Sequence, residues 1–330
     1  MRQPVAVIGA GSWGSALAMV LARGGRHVRL YARSDEKAMQ MQAARENTTY
    51  LPGICFPETL QVSADLDWVL KDAEAVVMAL PCSASESMLP RLATAEVPVI
   101  AACKGINPHT LERVDELFLR HLGEQRACLL SGPSFAREVA CGQPTAITLA
   151  AKDAGLAAQA AALFDDSSFR IYTSHDMAGV ALGGALKNVI AIAAGIAEGL
   201  HLGHNAAAAL ITRGIVEMTR LAMRFGGQQE TLSGLSGLGD LVLTCTGELS
   251  RNRQFGMAMA QGASADEATA RVGQVVEGRR TTAAAWQMAR DVGVEMPITG
   301  AVYAVLHEQL SPQEAVSSLL SRPAGQESLR

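Results

Sequence analysis

The sequence predicts an α/β chain in two parts, an N-terminal doubly wound sheet followed by an all-α C-terminal domain. Three observations carry this reading. Short β-branched runs alternate with helical ones through the first half, a glycine series sits between the first strand and the first helix, and beyond about residue 175 the chain turns to Ala, Leu and Met at helical spacing with no strand-like run. At 330 residues the chain is long for one core, and the shift in composition at "YTSHD" (172–176) divides it into domains 1–175 and 176–330.

The predicted strands are, in order, "VAVI" (5–8), "HVRLYA" (27–32), "AVVMAL" (75–80), "VPVIAA" (97–102), "ACLL" (127–130), "TAITLA" (145–150) and "FRIY" (169–172). With helical runs between them they read as βαβ units of a mostly parallel sheet. After the first strand, "GAGSWG" places Gly9, Gly11 and Gly14 in a G-x-G-x-x-G series at the start of a helix that ends at Gly24 and Gly25. Gly9 permits a tight turn, Gly11 lets backbone approach a pyrophosphate, Gly14 lets helix and strand pack closely, and the helix N-terminus attracts the anion. In this strand, turn and helix context the series predicts a Rossmann-like dinucleotide site.

Sites that prefer NAD carry an acid about twenty residues further on, at the end of the second strand. Here that strand runs into "YARSD", with Arg33 at the expected position. An arginine suits a 2′-phosphate, so the cofactor is NADPH or NADH with NADPH favoured. Asp35 keeps NAD open, and a solvated loop charge is the plain alternative for Arg33. Ligands of doubly wound sheets collect at the carboxyl ends of strands. "CKGI" puts Lys104 and Gly105 past one strand, and "SGPSFA" puts Gly132, Pro133 and Ser134 past another, with Ser134 placed to cap the next helix. Each also reads as an ordinary strand-to-helix turn.

In the second half, "AGVALGGALKNVIAIAAGIA" (178–197) holds one charge, Lys187, among four glycines and many alanines. Twenty such residues are long enough to span a bilayer. A midpoint lysine is costly there, however, and the flanking charges are the acids Asp176 and Glu198 rather than Lys/Arg clusters. The composition instead fits a helix packed closely on all sides, capped by Ser174 with Asp176 in its first turn. The lysine is then buried, which lowers its pKa and suits it to proton transfer, with Asn188 placed to orient it; a lysine that merely pairs with an acid to join two helices is the structural alternative. "ELSRNRQFG" (248–256) reads as a helix start at Ser250 with Arg251 and Arg253 in the first turn, where cations are electrostatically misplaced unless an anion binds. Pairing with an acid such as Glu248 is the alternative. Asp240 in "LSGLGDLVLTCTG" and Glu277 in "VVEGRRTT" follow or precede glycine, and each also reads as a plain turn acid.

Composition narrows the function classes. Lys and Arg number 28 against 32 Asp and Glu, a net charge of −4, and aromatic residues make up 4% of the chain, which argues against a nucleic-acid surface and for small-molecule chemistry. Cys55, Cys82, Cys103, Cys128, Cys141 and Cys245 show no CxxC pair and no metal-ligand spacing, and read as reduced, buried thiols of a cytoplasmic protein. Pro4 and the glycines from Gly9 interrupt any signal-peptide core.

Taken together, "GAGSWG", "CKG", "SGPSFA", "GALKN", "LSGLGDLVLTC", "SRNRQFG" and "VVEG" resemble the bacterial-type NAD(P)-dependent glycerol-3-phosphate dehydrogenase family over nearly the whole chain. "GPSFA", "LKN" and "SRNR" in that order are more specific than the glycine series, and they argue against other β-hydroxyacid dehydrogenases of like architecture. The resemblance implies a Rossmann domain followed by a helical one, and reduction of dihydroxyacetone phosphate to sn-glycerol 3-phosphate for phospholipid synthesis by a homodimer. It implies Lys187 as catalytic acid/base, with Lys104, Gly132, Ser134, Asp240, Ser250, Arg251 and Asn252 around the substrate. Ser12, Trp13, Arg33, Ala136, Val275 and Glu277 would touch the cofactor, as would Lys104 and Arg251. A nicotinamide-sensing protein without chemistry would need the glycine loop but neither lysine.

Overall fold

The computed structural model describes residues 3–92 and 96–323. Its first compact unit comprises the chain up to Cys103 together with Val114–Met177, and its second comprises Lys104–Arg113 together with the chain from Ala178. The segment 104–113, which a single cut near residue 175 leaves with the sheet, therefore groups with the helices.

The first unit is built on one eight-stranded sheet. Its strands are β1 (Val5–Ile8), β2 (Val28–Tyr31), β3 (Leu60–Ser63), β4 (Ala75–Met78), β5 (Val99–Ala101), β6 (Ala127–Ser131), β7 (Thr145–Ala150) and β8 (Phe169–Ser174). They lie in the order β3-β2-β1-β4-β5-β6-β7-β8. All neighbours are parallel except β6 and β7. Winding reverses between β1 and β4, and both strands are buried along their whole length, as parallel strands covered on two faces must be. The helix Ser12–Arg23 crosses behind β1 and sinks Leu17, Val20 and Leu21 into the core. Sequence reading missed β3. It is a four-residue edge strand of alternating burial, and the Val62 N–H on its open side is satisfied by the Gln42 side chain at 2.7 Å instead of by another strand.

The second unit is helical, centred on Met177–Gly199. This helix is long and apolar enough to cross a membrane, with a mean hydropathy of 1.8, yet its apolar stretch is wholly buried within protein. Glycines set its packing distances. A side chain at Gly195 would overlap the carbonyl of Arg253, and one at Gly256 would overlap the carbonyl of Ile192, so the central helix and Arg251–Ala260 touch backbone to backbone. Gly183 meets a single π-turn, Leu235–Gly239, where an added Cβ would lie 2.5 Å from the Ser236 carbonyl oxygen. The helix starts at Met177, two residues later than a cap at Ser174 would set it: the Ser174 hydroxyl accepts from the Asp176 N–H at 3.1 Å, inside the turn before the helix, and Asp176 lies ahead of the first turn rather than in it. Elsewhere Glu217, buried on Gly203–Arg224, accepts from the N–H groups of Ile298 (2.6 Å) and Thr299 (3.1 Å) and so caps the helix Pro297–His307 from outside. Burial pushes its carboxyl up to about 7.

Candidate active site

In the first unit the glycine loop has the shape an anion site requires. Gly9 has φ +115°, and a Cβ there would stand 2.8 Å from the Ala79 carbonyl oxygen; a Cβ on Gly14 would overlap the carbonyl of Gly9. Both positions exclude a side chain. A Cβ on Gly11 would meet nothing within 4 Å, and this residue opens the helix Ser12–Arg23 with no side-chain cap. Open space in front of uncapped helix N–H groups is a cradle for a phosphate. Trp13 anchors the loop by donating its indole N–H to the Ala102 carbonyl at 3.1 Å. Arg33 follows β2 on the same edge of the sheet, exposed and with no ion pair among the described residues.

Past β6, Gly132 has φ +149° and packs on Ile147, where a Cβ would be 2.9 Å from the Ile147 Cα. The Ser134 hydroxyl donates to the Gly132 carbonyl at 3.0 Å. It does not cap the helix Ala136–Ala140, whose N-cap is Phe135 without a side-chain bond, because this local turn already uses the hydroxyl. Ala136 packs against the core at that helix's first position.

In the second unit the π-turn delivers a carboxylate to the lysine. Gly183 and Lys187 are one helical turn apart, as are Ser236 and Asp240, so the backbone contact of the first pair brings the second pair together. Asp240 is fully buried and is shared by two cations. Lys187 Nζ donates to its Oδ1, and Lys104 Nζ donates to its Oδ2 at 2.5 Å. Lys187 Nζ also donates to Thr244 Oγ1 at 2.9 Å. That hydroxyl spends its own proton on the Asp240 carbonyl, at 2.6 Å. Two of the three ammonium protons of Lys187 are therefore fixed, and the third has no acceptor among the described residues. Burial pulls Lys187 from 10.5 down to about 7; Asp240 opposes the fall and Lys104 adds to it.

One residue further along the central helix the polar contacts change. Asn188 does not face Lys187. Its Oδ1 accepts from Asn252 Nδ2 at 2.9 Å, while Asn252 Oδ1 accepts from the Gly278 N–H at 2.9 Å. Asn252 thus clamps three helices. Ser250 caps its helix as expected, accepting from the Arg253 N–H at 3.3 Å. Arg253 is neutralised by Glu198 at 2.5 Å rather than by Glu248. Arg251 meets only the neutral Gln274, at 3.3 Å, with no ion pair within 4 Å among the described residues. Glu277 stands near Arg251 at the start of Glu277–Asp291, its carboxyl held above the ordinary range by burial, against the pull of Arg280 and Arg251. Val275, beside it, is exposed.

Comparison with known proteins decides the family. Residues 4–157 match the model for the NAD-dependent glycerol-3-phosphate dehydrogenase N-terminus, and residues 176–317 match that for its C-terminus. The chain belongs to the NAD-dependent glycerol-3-phosphate dehydrogenase family. A glycerol-3-phosphate dehydrogenase (NAD(P)+) of Thioalkalivibrio sulfidiphilus is 48% identical over 326 residues, covering 97% of this chain and 98% of its own. One from Geobacter sulfurreducens is 46% identical, covering 98% of each. The crystal structure of glycerol-3-phosphate dehydrogenase from Coxiella burnetii matches with a TM-score of 0.93 at 43% identity, covering 97% of this chain and 99% of that one.

Within this dehydrogenase fold the motif residues fall into three groups. Gly9, Gly11, Ser12, Trp13, Gly14 and Arg33 follow β1 and β2, and Gly132, Ser134 and Ala136 follow β6. Lys104, Lys187 and Asp240 form one ionic cluster, and Ser250, Arg251, Asn252, Val275 and Glu277 gather at two helix starts. Sequence reading missed Thr244, which lies four residues beyond Asp240 on the same helical face. It also missed Asn47, whose buried amide donates to the Ala10 carbonyl at 3.2 Å and to Ser15 Oγ at 2.8 Å. The thiols differ from expectation too: Cys82, Cys128 and Cys245 are buried, but Cys55 and Cys141 are exposed and Cys103 is intermediate.

Proposed function

We propose that the chain catalyses the reversible NAD(P)H-dependent reduction of dihydroxyacetone phosphate to sn-glycerol 3-phosphate. The observation that carries this reading is the buried cluster of Lys187, Lys104, Asp240 and Thr244, in a chain of this family. Bound nicotinamide would supply the hydride. Negative charge then builds on the ketone oxygen and must be met by a proton donor in a dry setting. Lys187 is that donor: Asp240 and Thr244 hold two of its protons, the third is available, and a pKa of about 7 lets it give up the proton in reduction and take one back in oxidation. Lys104, on the same carboxylate, adds positive charge at the site.

Arg251 takes the substrate phosphate, supported by the absence of an ion pair to it within 4 Å among the described residues and by the helix start at Ser250, while Asn252 fixes that helix in place. Gly132 and Ser134 complete the substrate contacts. The glycine loop holds the pyrophosphate, with Ala136, Val275 and Glu277 as further cofactor contacts, and Arg33 favours NADPH through its 2′-phosphate. The product feeds glycerophospholipid synthesis in the cytoplasm, and the enzyme works as a homodimer on small molecules rather than nucleic acid. Lys187→Met tests the core of this. A folded protein that still binds NADPH but loses on the order of 10² to 10⁴ in kcat is expected, and near-normal turnover refutes the role of the lysine.

A further inference from the structure

We infer that Asn47, outside every motif of the site, is the residue that sets the glycine loop in its pyrophosphate-binding form. The inference rests on the reading that this loop holds the cofactor. Asn47 is 1% exposed, and its side-chain amide and its backbone carbonyl are all used. Its Nδ2 donates to the Ala10 carbonyl and to Ser15 Oγ, its Oδ1 accepts from the Tyr50 N–H at 3.1 Å, and its carbonyl accepts from the Leu51 N–H at 2.8 Å. The two acceptors of its amide lie on the glycine loop and in the first turn of the helix that follows. Asn47 itself belongs to the 47–51 turn, which is tied down independently: Glu46 accepts from the Gly53 N–H at 2.8 Å, and Arg137 donates to the Pro52 carbonyl at 3.1 Å.

The bond to Ala10 matters because a trans peptide is planar, so its carbonyl and its N–H point in opposite directions. The Ala10 carbonyl shares a peptide plane with the Gly11 N–H. With the carbonyl drawn inward to Asn47, the Gly11 N–H is turned outward, where it has no protein acceptor among the described residues and where a Cβ on Gly11 would meet only open space. No bond from within G-x-G-x-x-G holds the Ala10 carbonyl among the described residues, and the Ala10–Gly11 peptide turns about ψ of Ala10 and φ of Gly11, where a glycine leaves φ free. Asn47 is thus a positioning residue: it removes an alternative loop conformation that would present a carbonyl, not an N–H, to an anion.

The test measures direct binding of NADPH and of NADH, by quenching of protein fluorescence, together with initial rates at saturating cofactor. Asn47→Ala is expected to raise Kd for both cofactors by about five- to thirtyfold, the worth of one or two buried hydrogen bonds. Their ratio should not change, because the pyrophosphate is common to both. The KM for dihydroxyacetone phosphate and kcat at saturating cofactor should stay within about twofold. Ser15→Ala leaves the Ala10 bond intact, so it should lower the melting temperature without moving either Kd. Equal loss of affinity in both variants would reduce the effect to packing and overturn the inference, as would wild-type Kd values in Asn47→Ala. Hydrogen exchange on the unaltered protein decides independently of how the variants fold. The Tyr50 and Leu51 amides should be protected before cofactor is added and unchanged after; protection that arises only with cofactor overturns the inference. If the unaltered protein binds neither cofactor, the underlying reading of the loop fails instead.

Discussion

Two substitutions beside Lys187 should move its titration in opposite directions. Asp240→Asn removes the attraction that opposes burial, so Lys187 should titrate below its present value of about 7, while Lys104→Met removes a like charge and should raise it. Asp240 is fully buried, so its field is poorly screened. A contact pair at about 4 Å and an effective dielectric of about 20 interacts by about 4 kcal/mol, close to 3 pH units and an upper bound for the Asp240→Asn effect. Lys104 is itself neutralised on Asp240 at 2.5 Å and is partly exposed, so its removal should count for about one unit. The assay is the pH dependence of kcat for ketone reduction, followed at 340 nm with both substrates saturating. In the proposed role Lys187 acts as an acid in that direction, so activity should fall as pH rises through about 7 in the unaltered enzyme. The fall should come at lower pH in Asp240→Asn and at higher pH in Lys104→Met. Shifts of the same sign, or an unmoved limb in Asp240→Asn, would refute the assignment of Lys187 as the titrating donor.

Further outcomes follow for Arg33 and Arg251, neither of which has an ion pair within 4 Å among the described residues. Arg33→Asp should weaken NADPH far more than NADH in a direct binding titration, since it removes a charge-assisted contact to the 2′-phosphate and adds repulsion; equal losses would dismiss that role. Arg251→Ala should raise KM for dihydroxyacetone phosphate and lower kcat/KM by about 10- to 100-fold, while dihydroxyacetone keeps its already poor rate. Equal effects on the two ketones would mean that Arg251 does not read phosphate.

Most of the fold was legible because its signals are local. Seven of the eight strands are apolar runs whose β-branched character shows in any window of five or six residues. The eighth, β3, is a short edge strand completed by a side chain from elsewhere, and nothing in "LQVS" itself declares a partner. The misjudged caps have a common cause. Ser174 and Ser134 each stand at the right distance before a helix, but a hydroxyl that can bond two residues away within its own turn does so first. Ser250 has no such competitor and caps as expected.

The site was legible where a residue contradicts its own neighbourhood. A lysine in an apolar helix and two arginines at the positive end of another both conflict with local rules, and such conflicts mark places where something from outside must intervene. What intervenes was not legible, because it comes from far along the chain. Thr244 lies 57 residues from Lys187, Glu198 lies 55 from Arg253, and Asn47 lies 37 from Ala10. Glu198 also shows why a local conflict alone is ambiguous: it settles Arg253 by an ordinary ion pair and leaves the anion reading to Arg251. The glycines supplied the missing register in part. Gly183 stands one turn before Lys187 and has no packing role unless another backbone approaches it there, and the backbone that does so carries its acid one turn further on, at Asp240. A glycine one turn from a buried charge, matched by a glycine-rich turn ahead of an opposite charge, is therefore a pattern of close backbone approach that fixes an ion pair, and "GGALK" with "SGLGD" is an instance written plainly in this chain.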